Sequence, residues 1–164
     1  MFIIVSFNPI LALKTLACYQ FGKEVGDALF KEELIKEMKV KFSGRTKRIR
    51  YVFLGNSPYL SIRTSDGFLT LSLRAAKELV KTLENFENLV IVNREALKTM
   101  FERKEILAKQ IKSVSPNLKA NSEVVVIDED KKFIAVGRAI LNGKEMLEIK
   151  RGVVIKLRKV GKYV

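Results

Sequence analysis

The chain contains no histidine and no tryptophan, and Cys18 is its only cysteine. A lone cysteine cannot form a disulfide within the chain, which fits a reducing cytosol. Without histidine, neither a zinc site of the usual kind nor a Ser-His-Asp or Cys-His catalytic unit can be assembled from this chain alone. The sequence therefore excludes these common metal-dependent and nucleophilic sites from this chain alone.

Acidic residues are scarce relative to basic ones. The 18 Asp and Glu against 31 Lys and Arg give a formal net charge of +13 over 164 residues. Such a surplus favours polyanionic partners, nucleic acid first and anionic membrane second, and a merely basic soluble protein is the alternative. The hydrophobic fraction of 48% is ordinary, so we expect a normal core in one domain or two small ones.

The apolar start of the chain, MFIIVSFNPILAL, lacks the pattern of a signal peptide. No lysine or arginine precedes it, Pro9 interrupts it and Lys14 follows early. No apolar run is long enough to span a bilayer. We therefore expect a strand or extended segment over residues 2–7, then a helix, in a cytoplasmic protein without membrane contact.

The first half predicts helices followed by a small sheet. Asn8 can cap a helix that begins at Pro9 and stops at Gly22. The predicted apolar face of this helix is Leu11, Leu13, Leu16, Ala17 and Phe21. Further helical patterns cover 24–30, 32–38 and 73–84, and alternating runs at 39–42, 48–53, 59–63 and 68–73 predict an antiparallel meander.

The second half predicts a small, partly closed β-barrel, because several short strands accompany one early helix. Asn93 is the predicted cap of that helix. The predicted strands are 89–93, 105–111, 123–128, 133–141 and 153–160, with a helix at 94–104 and connections at 113–122 and 142–152. The fold class is α+β, with an α+β module over residues 1–86 and a barrel over residues 87–164.

Residues 124–160, VVVIDEDKKFIAVGRAILNGKEMLEIKRGVVIKLRKV, combine fixed glycines with fixed spacing across several elements. A strand and an acidic turn precede a strand ending in V-G-x-A at Val136–Ala139. A G-x-E-M-L-x-x-x-R-G connection from Gly143 to Gly152 then leads into a last basic strand. This pattern resembles the PUA domain, a small barrel that binds RNA.

Three stretches of the first half, ACYQFG, GRTKRIRYVF and TSDGFLTLSLRAAKEL, also resemble a known family. They are similar to the region before the PUA domain in archaeal tRNA-guanine transglycosylases. Those enzymes exchange guanine at position 15 of tRNA for a deazaguanine base, the first step toward archaeosine. The resemblance covers nearly the whole chain from about Asn8 and implies the C-terminal RNA-binding part of that enzyme.

The chain departs from this pattern in informative places. The catalytic barrel of the enzyme, with its aspartates and its Cys/His zinc site, has no counterpart. Ala120 and Asn121 stand where many PUA domains have a Pro-Gly pair. Arg103 or Lys104 stands where the family often has a glycine after the PUA helix, a change that bears on binding of an RNA terminus.

The basic stretch GRTKRIRYVF places four cations between positions 45 and 50. On a strand, Arg48 and Arg50 share one face while Tyr51 and Phe53 share the other. We therefore expect the aromatic face to pack and the arginines to grip RNA phosphates. The predicted RNA contacts are Arg45, Lys47, Arg48, Arg50 and Arg63 in the first module and Lys109, Lys119, Arg138, Lys144, Lys150 and Arg151 in the second, with a structural role as the alternative for Arg151.

Other reactive or aromatic residues have plainer interpretations. Asp66 fits a hairpin turn better than a catalytic acid, and the acidic run at 128–130 fits an exposed tight turn better than a metal site. Cys18, without a histidine to activate it, is expected to be a buried structural thiol. Core packing competes with base stacking at Tyr19, Phe21 and Phe68. We expect no catalytic residue, metal or cofactor in this chain.

The sequence thus predicts a non-catalytic RNA-binding protein. The concrete hypothesis is a tRNA-binding accessory subunit of a split archaeosine transglycosylase, whose catalytic barrel lies on a separate chain. One alternative is a free-standing PUA adaptor in ribosome assembly or translation. The other is a protein-interaction module whose basic face meets an acidic partner.

Overall fold

The structure is a computed structural model that describes residues 6–162. The chain divides into two compact units, Met1–Leu69 and Thr70–Val164. The helices are α1 (Pro9–Phe21), α2 (Lys23–Leu29), α3 (Glu32–Ile35), α4 (Leu73–Thr82), α5 (Ala96–Arg103) and α6 (Gly143–Glu148). The strands are β1 (Met38–Phe42), β2 (Ile49–Leu54), β3 (Ser57–Ile62), β4 (Leu69–Leu71), β5 (Leu89–Val92), β6 (Glu105–Leu107), β7 (Ile111–Val114), β8 (Glu123–Ile127), β9 (Phe133–Ala139) and β10 (Val153–Val160).

The start of the chain yields only part of its expected structure. The predicted strand over 2–7 lies mostly outside the described residues, and positions 6 and 7 have no regular structure. Within residues 6–162, no helix is both long and apolar enough to cross a membrane.

Helix α1 begins and ends where its capping residues predict. The side chain of Asn8 accepts hydrogen bonds at 3.1 Å from two backbone amides of the first turn, and Gly22 follows the last turn with φ +93°. Leu11, expected on the packed face, is instead 61% exposed, so the buried face of α1 is narrower than predicted. The buried residues of α1 are Leu13, Ala17 and Phe21.

Helices α1 and α2 pack closely through a glycine. A side chain at Gly26 would collide with the thiol and backbone of Cys18, so Cys18 is a half-buried packing residue of this contact. At the surface, Lys14 and Lys23 lie 3.1 and 2.8 Å from the Asp27 carboxylate. Hydrogen bonds from Lys23 and Lys14 hold the pKa of Asp27 below its ordinary value.

The sheet of the first unit is the predicted antiparallel meander, in the order β1-β2-β3-β4, and the division between the units falls within β4. Two polar side chains connect this sheet to the helices. The buried Tyr59 hydroxyl donates to the carbonyl oxygen of Leu29 at 3.0 Å. The Gln20 amide exchanges two 2.8 Å hydrogen bonds with the backbone of Leu69. Packing against α1 and α2 therefore decides which face of the sheet is inward.

The second unit contains a curled half-barrel with strand order β6-β10-β9-β8-β5-β7. Its neighbouring strands are antiparallel except for β5 and β8, which are parallel. Every residue of β8 is buried, which fits the apolar run Val124–Ile127 that follows Glu123. Helix α4 contacts β9, and Lys77 of α4 lies 6.0 Å from the centroid of the Phe133 ring.

The predicted strand over 105–111 is two strands separated by a 3₁₀ turn at Ala108–Gln110. The buried Gln110 side chain accepts from the Leu107 amide at 2.8 Å and donates to the Thr99 hydroxyl at 3.0 Å. These bonds satisfy the amide only if the chain turns at this point. Apolar alternation did not predict the break, because it is specified by one polar side chain.

The predicted connection over 142–152 contains a helix that the sequence analysis did not predict, α6. Asn142 accepts from the Glu145 amide at 2.9 Å, and Glu145 accepts from the Asn142 amide at 3.0 Å. This reciprocal capping box was readable in the sequence as N-x-x-E. Helix α5 begins at Ala96 with Glu95 as its N-cap residue, two residues later than predicted, and the predicted cap Asn93 instead accepts from the Ala96 amide at 3.2 Å in the turn before the helix.

The two departures from the PUA pattern occupy left-handed backbone positions. Lys104, at the end of α5, has φ +54°, and Asn121 has φ +65°. Asparagine tolerates this conformation better than most residues, whereas lysine is strained in it. Of the two candidate positions, Lys104 rather than Arg103 thus has the left-handed backbone that a glycine would adopt without strain.

Lys104→Gly is expected to raise the free energy of unfolding by roughly 0.5–1 kcal/mol, because glycine adopts the left-handed region without steric cost. Urea denaturation followed by circular dichroism measures the change. Lys98→Gly is the matched control. It makes the same replacement on an exposed position of α5 and is expected to lower stability by about 1 kcal/mol. A destabilised Lys104→Gly protein would contradict the assignment of strain.

Candidate nucleic-acid interface

Three of the predicted RNA-binding residues, Arg45, Lys47 and Arg48, lie exposed in the loop that joins β1 to β2, and we name them the basic turn. Ser43 organises this loop. Its amide donates to the carbonyl of Arg48 at 2.8 Å, its carbonyl accepts from the Lys47 amide at 3.0 Å, and its hydroxyl accepts from the Thr46 amide at 3.2 Å. The cations therefore project from an ordered turn.

The loop between β3 and β4 repeats this geometry at the same end of the meander. The Arg63 amide donates to the Phe68 carbonyl, and the Arg63 carbonyl accepts from the Gly67 amide, both at 2.8 Å. Gly67 has φ +78°, and Lys47 has φ +56° at the equivalent position of the basic turn. The basic turn thus carries a cation where the other hairpin has a glycine.

Arg63 is compensated within this second loop. Its guanidinium bonds both oxygens of Asp66, at 2.9 and 2.6 Å, and its side chain is only 17% exposed. Asp66 also accepts from the Phe68 amide at 3.1 Å, which confirms the predicted turn role. Arg63 therefore offers less free charge to a ligand than the basic turn does.

The expected orientation of β2 is wrong. Val52 and Leu54 are 0% and 1% exposed, whereas Tyr51 is 41% exposed, so the aromatic face points outward. The register between β1 and β2 shifts between Lys41 and Phe42, and Arg50 falls in this irregularity. Arg50 is half-buried, and its guanidinium lies over the Tyr51 ring, 5.9 Å from the ring centroid, instead of on the opposite face.

Two lysines that sequence reasoning missed lie beside the outward aromatic rings. Lys39 is the cross-strand neighbour of Phe53, and Lys41 is the cross-strand neighbour of Tyr51. Directly opposed residues share one face of a sheet, and both lysines are exposed. The alternation in KVKF carried this signal, because its lysines stand two residues apart.

Hydrogen bonds between loops bring together several predicted cations of the second unit. The Ala108 amide donates to the Gly152 carbonyl at 2.9 Å, which places the loop of Lys109 beside the segment of Lys150 and Arg151. The Gly143 amide donates to the Leu118 carbonyl at 2.8 Å, which places Lys119 beside the start of α6 and Lys144. The five cations are exposed.

Arg138 is exposed on β9, directly opposite the exposed Lys156 of β10, and its neighbour Ala139 exchanges backbone hydrogen bonds of 2.9 Å with Asn121 and Ser122 in the loop after Lys119. The neighbouring Gly137 permits a close approach of another backbone, and in the structure that backbone belongs to β10 and not to RNA. A side chain at Gly137 would collide with the Lys156 carbonyl and the Leu157 backbone. Gly137 therefore serves the packing of the barrel.

The remaining candidates have mainly structural surroundings. Asp128 accepts from the backbone amides of Asp130 and Lys132 at 2.9 and 2.8 Å, which confirms the turn. Glu129 and Asp130 are exposed as expected, whereas Asp128 is buried. Within residues 6–162, no three His, Cys, Asp or Glu side chains are grouped to hold a metal. Phe21 is buried at 3% exposure, Phe68 is half-buried, and Tyr19 is 78% exposed.

Comparison with protein families defines the class of protein. Residues 12–85 match the patch-forming domain C2 of tRNA-guanine transglycosylase, and residues 88–161 match the PUA domain. The chain thus combines two regions, the first matching the transglycosylase C2 domain and the second matching the PUA domain. This combination supports RNA binding as the class of function.

Similar curated proteins are archaeal tRNA-guanine(15) transglycosylases. The chain is 34% identical to the enzyme of Methanobrevibacter smithii and 36% identical to that of Methanosphaera stadtmanae. These matches cover 90% and 93% of this chain but only 22% of each relative. The chain therefore corresponds to about a fifth of the length of those enzymes.

Solved structures share the fold. A hypothetical protein from Pyrococcus horikoshii superposes with a TM-score of 0.73 at 19% identity, covering 94% of this chain and 90% of that one. A PUA domain protein from Aeropyrum pernix superposes with a TM-score of 0.67 at 13% identity, covering 92% and 80%. At these identities the likeness concerns architecture alone.

Proposed function

We propose that this chain is a non-catalytic, tRNA-binding accessory subunit of a split archaeosine tRNA-guanine transglycosylase, acting in the cytoplasm. The observation that carries the proposal is the asymmetry of the matches. They cover 90% or more of this chain but 22% of the transglycosylases. A separate chain would supply the catalytic barrel, its aspartates and its zinc, for which this sequence has neither histidine nor a cysteine cluster.

The surface chemistry supports a role in holding RNA. Structured RNA is bound largely through its phosphates and its shape, which suits a chain with a net charge of +13. Lys47 has a positive φ at the position where the other hairpin has a glycine. A cation kept at that conformational cost favours a ligand-binding role for the basic turn.

We further propose residues 1–86 and 87–164 as the two functional modules of this subunit. The compact units instead divide at Leu69 and Thr70, because α4 contacts the barrel strand β9. The predicted RNA-binding residues on the basic turn and on the loops of the second unit would neutralise phosphates of the acceptor stem and the neighbouring arm.

Reconstituted base exchange tests the proposal. Incorporation of labelled guanine into a tRNA transcript would be measured with the separate catalytic chain, with and without this protein. Since the protein contributes binding and no catalytic group, we expect it to lower KM for tRNA roughly tenfold or more with kcat little changed. Full rate and full affinity with the catalytic chain alone would contradict the proposal.

Salt titration separates the proposal from its two alternatives. If the protein binds tRNA through phosphates, log K should fall by about 0.7 to 0.9 per contacted phosphate for each tenfold rise in salt. No tRNA binding at low salt would favour the protein-interaction module. Co-purification with ribosomal particles instead of a transglycosylase chain would favour the free-standing adaptor.

A further inference from the structure

The outward face of β1 and β2 carries two aromatic rings beside two lysines. The ring centroids of Tyr51 and Phe53 lie 6.3 Å apart at an interplanar angle of 59°. Lys41 lies opposite Tyr51 and Lys39 lies opposite Phe53, each one strand away. We name these four residues the aromatic-lysine face.

The accessibility of the Tyr51 ring makes this face suitable for a flat ligand. Tyr51 is 41% exposed, whereas Tyr59 on the neighbouring strand is fully buried with its hydroxyl bonded. Phe53 is half-buried and supports the ring from one side. The pair therefore leaves a substantial part of one ring open to solvent.

The charges around the ring define the sign of the ligand. Lys39 and Lys41 stand two residues apart, roughly 7 Å along the strand, and both are exposed. Neither forms an ion pair with an acidic side chain within residues 6–162. The Arg50 guanidinium lies over the Tyr51 ring, 5.9 Å from its centroid, so it adds a third positive charge and leaves the opposite face of the ring for a base.

The face is also continuous with the basic turn. Lys41 and Tyr51 form the cross-strand pair next to the irregular end of the ladder, and Arg48 precedes Tyr51 by only three residues. A strand of RNA bound at the basic turn would therefore pass directly onto the aromatic-lysine face.

We propose that the aromatic-lysine face binds an unpaired nucleotide of RNA. The base stacks on the Tyr51 ring, while Lys39 and Lys41 contact the flanking phosphates. Stacking selects unpaired over duplex RNA, because paired bases do not present a free ring face. This site deepens the proposed tRNA-binding function and rests on it.

Binding to two RNAs tests the site. Fluorescence anisotropy would compare a single-stranded oligouridylate with a blunt-ended RNA duplex of equal length. Tyr51→Ala is expected to weaken oligouridylate binding roughly 5- to 160-fold, the range expected for one stacked base, and to leave duplex binding unchanged. Tyr51→Trp should retain binding, since its larger ring preserves stacking.

Two further variants test whether the effect is specific to Tyr51 and whether the two lysines contact phosphates. Phe101→Ala removes another exposed aromatic ring, on α5, and should change neither affinity. The double variant Lys39→Gln/Lys41→Gln should lower the salt slope for oligouridylate by about 1.4, or 0.7 per phosphate on a single strand. Thermal unfolding of each variant verifies the fold.

Two results would overturn the site: oligouridylate binding that is equal in Tyr51→Ala and the wild type, or an equal loss of duplex binding. Wild-type protein that binds neither RNA nor tRNA would overturn the proposed function together with this inference. If the wild-type protein binds RNA and Tyr51→Ala binds it equally well, only the inference is overturned, and the aromatic-lysine face has a different partner.

Discussion

Replacing Arg45, Lys47 and Arg48 together by glutamine should weaken tRNA binding by about 100-fold or more at 0.1 M salt. Each neutralised phosphate releases counterions, so log K changes by about 0.7 to 0.9 per tenfold change in salt. Relative to 1 M salt, each cation bound to a phosphate therefore contributes roughly a factor of 5 to 8 at 0.1 M. Removing three such cations loses this factor three times, which gives the expected weakening of about 100-fold or more.

The measurement is anisotropy of labelled tRNA over a series of salt concentrations, where the slope should also fall by about 2 to 3. The matched control is Lys23→Gln/Lys81→Gln/Arg94→Gln. It removes the same charge from side chains that are each paired with an acid. Equal weakening in both triple variants would mean that only net charge matters, and the basic turn would lose its role.

Arg158→Met is expected to lower the free energy of unfolding by about 3 kcal/mol, because it strands a buried carboxylate. Glu123 is 1% exposed, and Arg158 bonds both of its oxygens, one of them at 2.7 Å. Arg158 also donates to the Leu71 carbonyl at 2.7 Å, while Glu123 accepts from the Leu71 amide at 3.1 Å. The pair holds the backbone at Leu71 on the barrel.

Urea denaturation of the single variant and of Glu123→Leu/Arg158→Met measures this effect. The double variant should recover about 1–2 kcal/mol, since it removes the uncompensated charge as well as the bond. Lys156→Met is the matched control, an exposed cation on the same strand whose loss should change stability by less than about 0.5 kcal/mol. A similarly small effect of Arg158→Met would contradict the assignment.

Local signals predicted much of the secondary structure. Asn8 and Gly22 bound α1 because capping depends only on neighbouring backbone groups. The alternating runs of the first half became β1 to β4 in the expected meander, because short polar turns separate them. The capping box of Asn142 and Glu145 shows that the sequence also contained a local signal for α6.

Non-local features escaped prediction. The 3₁₀ turn before β7 depends on Gln110 reaching Thr99, eleven residues away along the chain. The outward orientation of Tyr51 depends on burial of Val52 and on the irregular register with β1. Alternation specifies that two faces exist, but packing against other elements decides which one is inward.

By itself, the sequence determined the composition of the binding surface: a large cationic surplus, no histidine, and the glycine-spaced pattern of a PUA domain. Tertiary structure alone decided which of those charges are available. It pairs Arg158 with Glu123, 35 residues away along the chain, while it leaves the basic turn and Tyr51 with its two neighbouring lysines exposed. The reason is physical, because net charge is a property of residue counts, whereas free charge depends on which side chains folding brings within hydrogen-bonding distance.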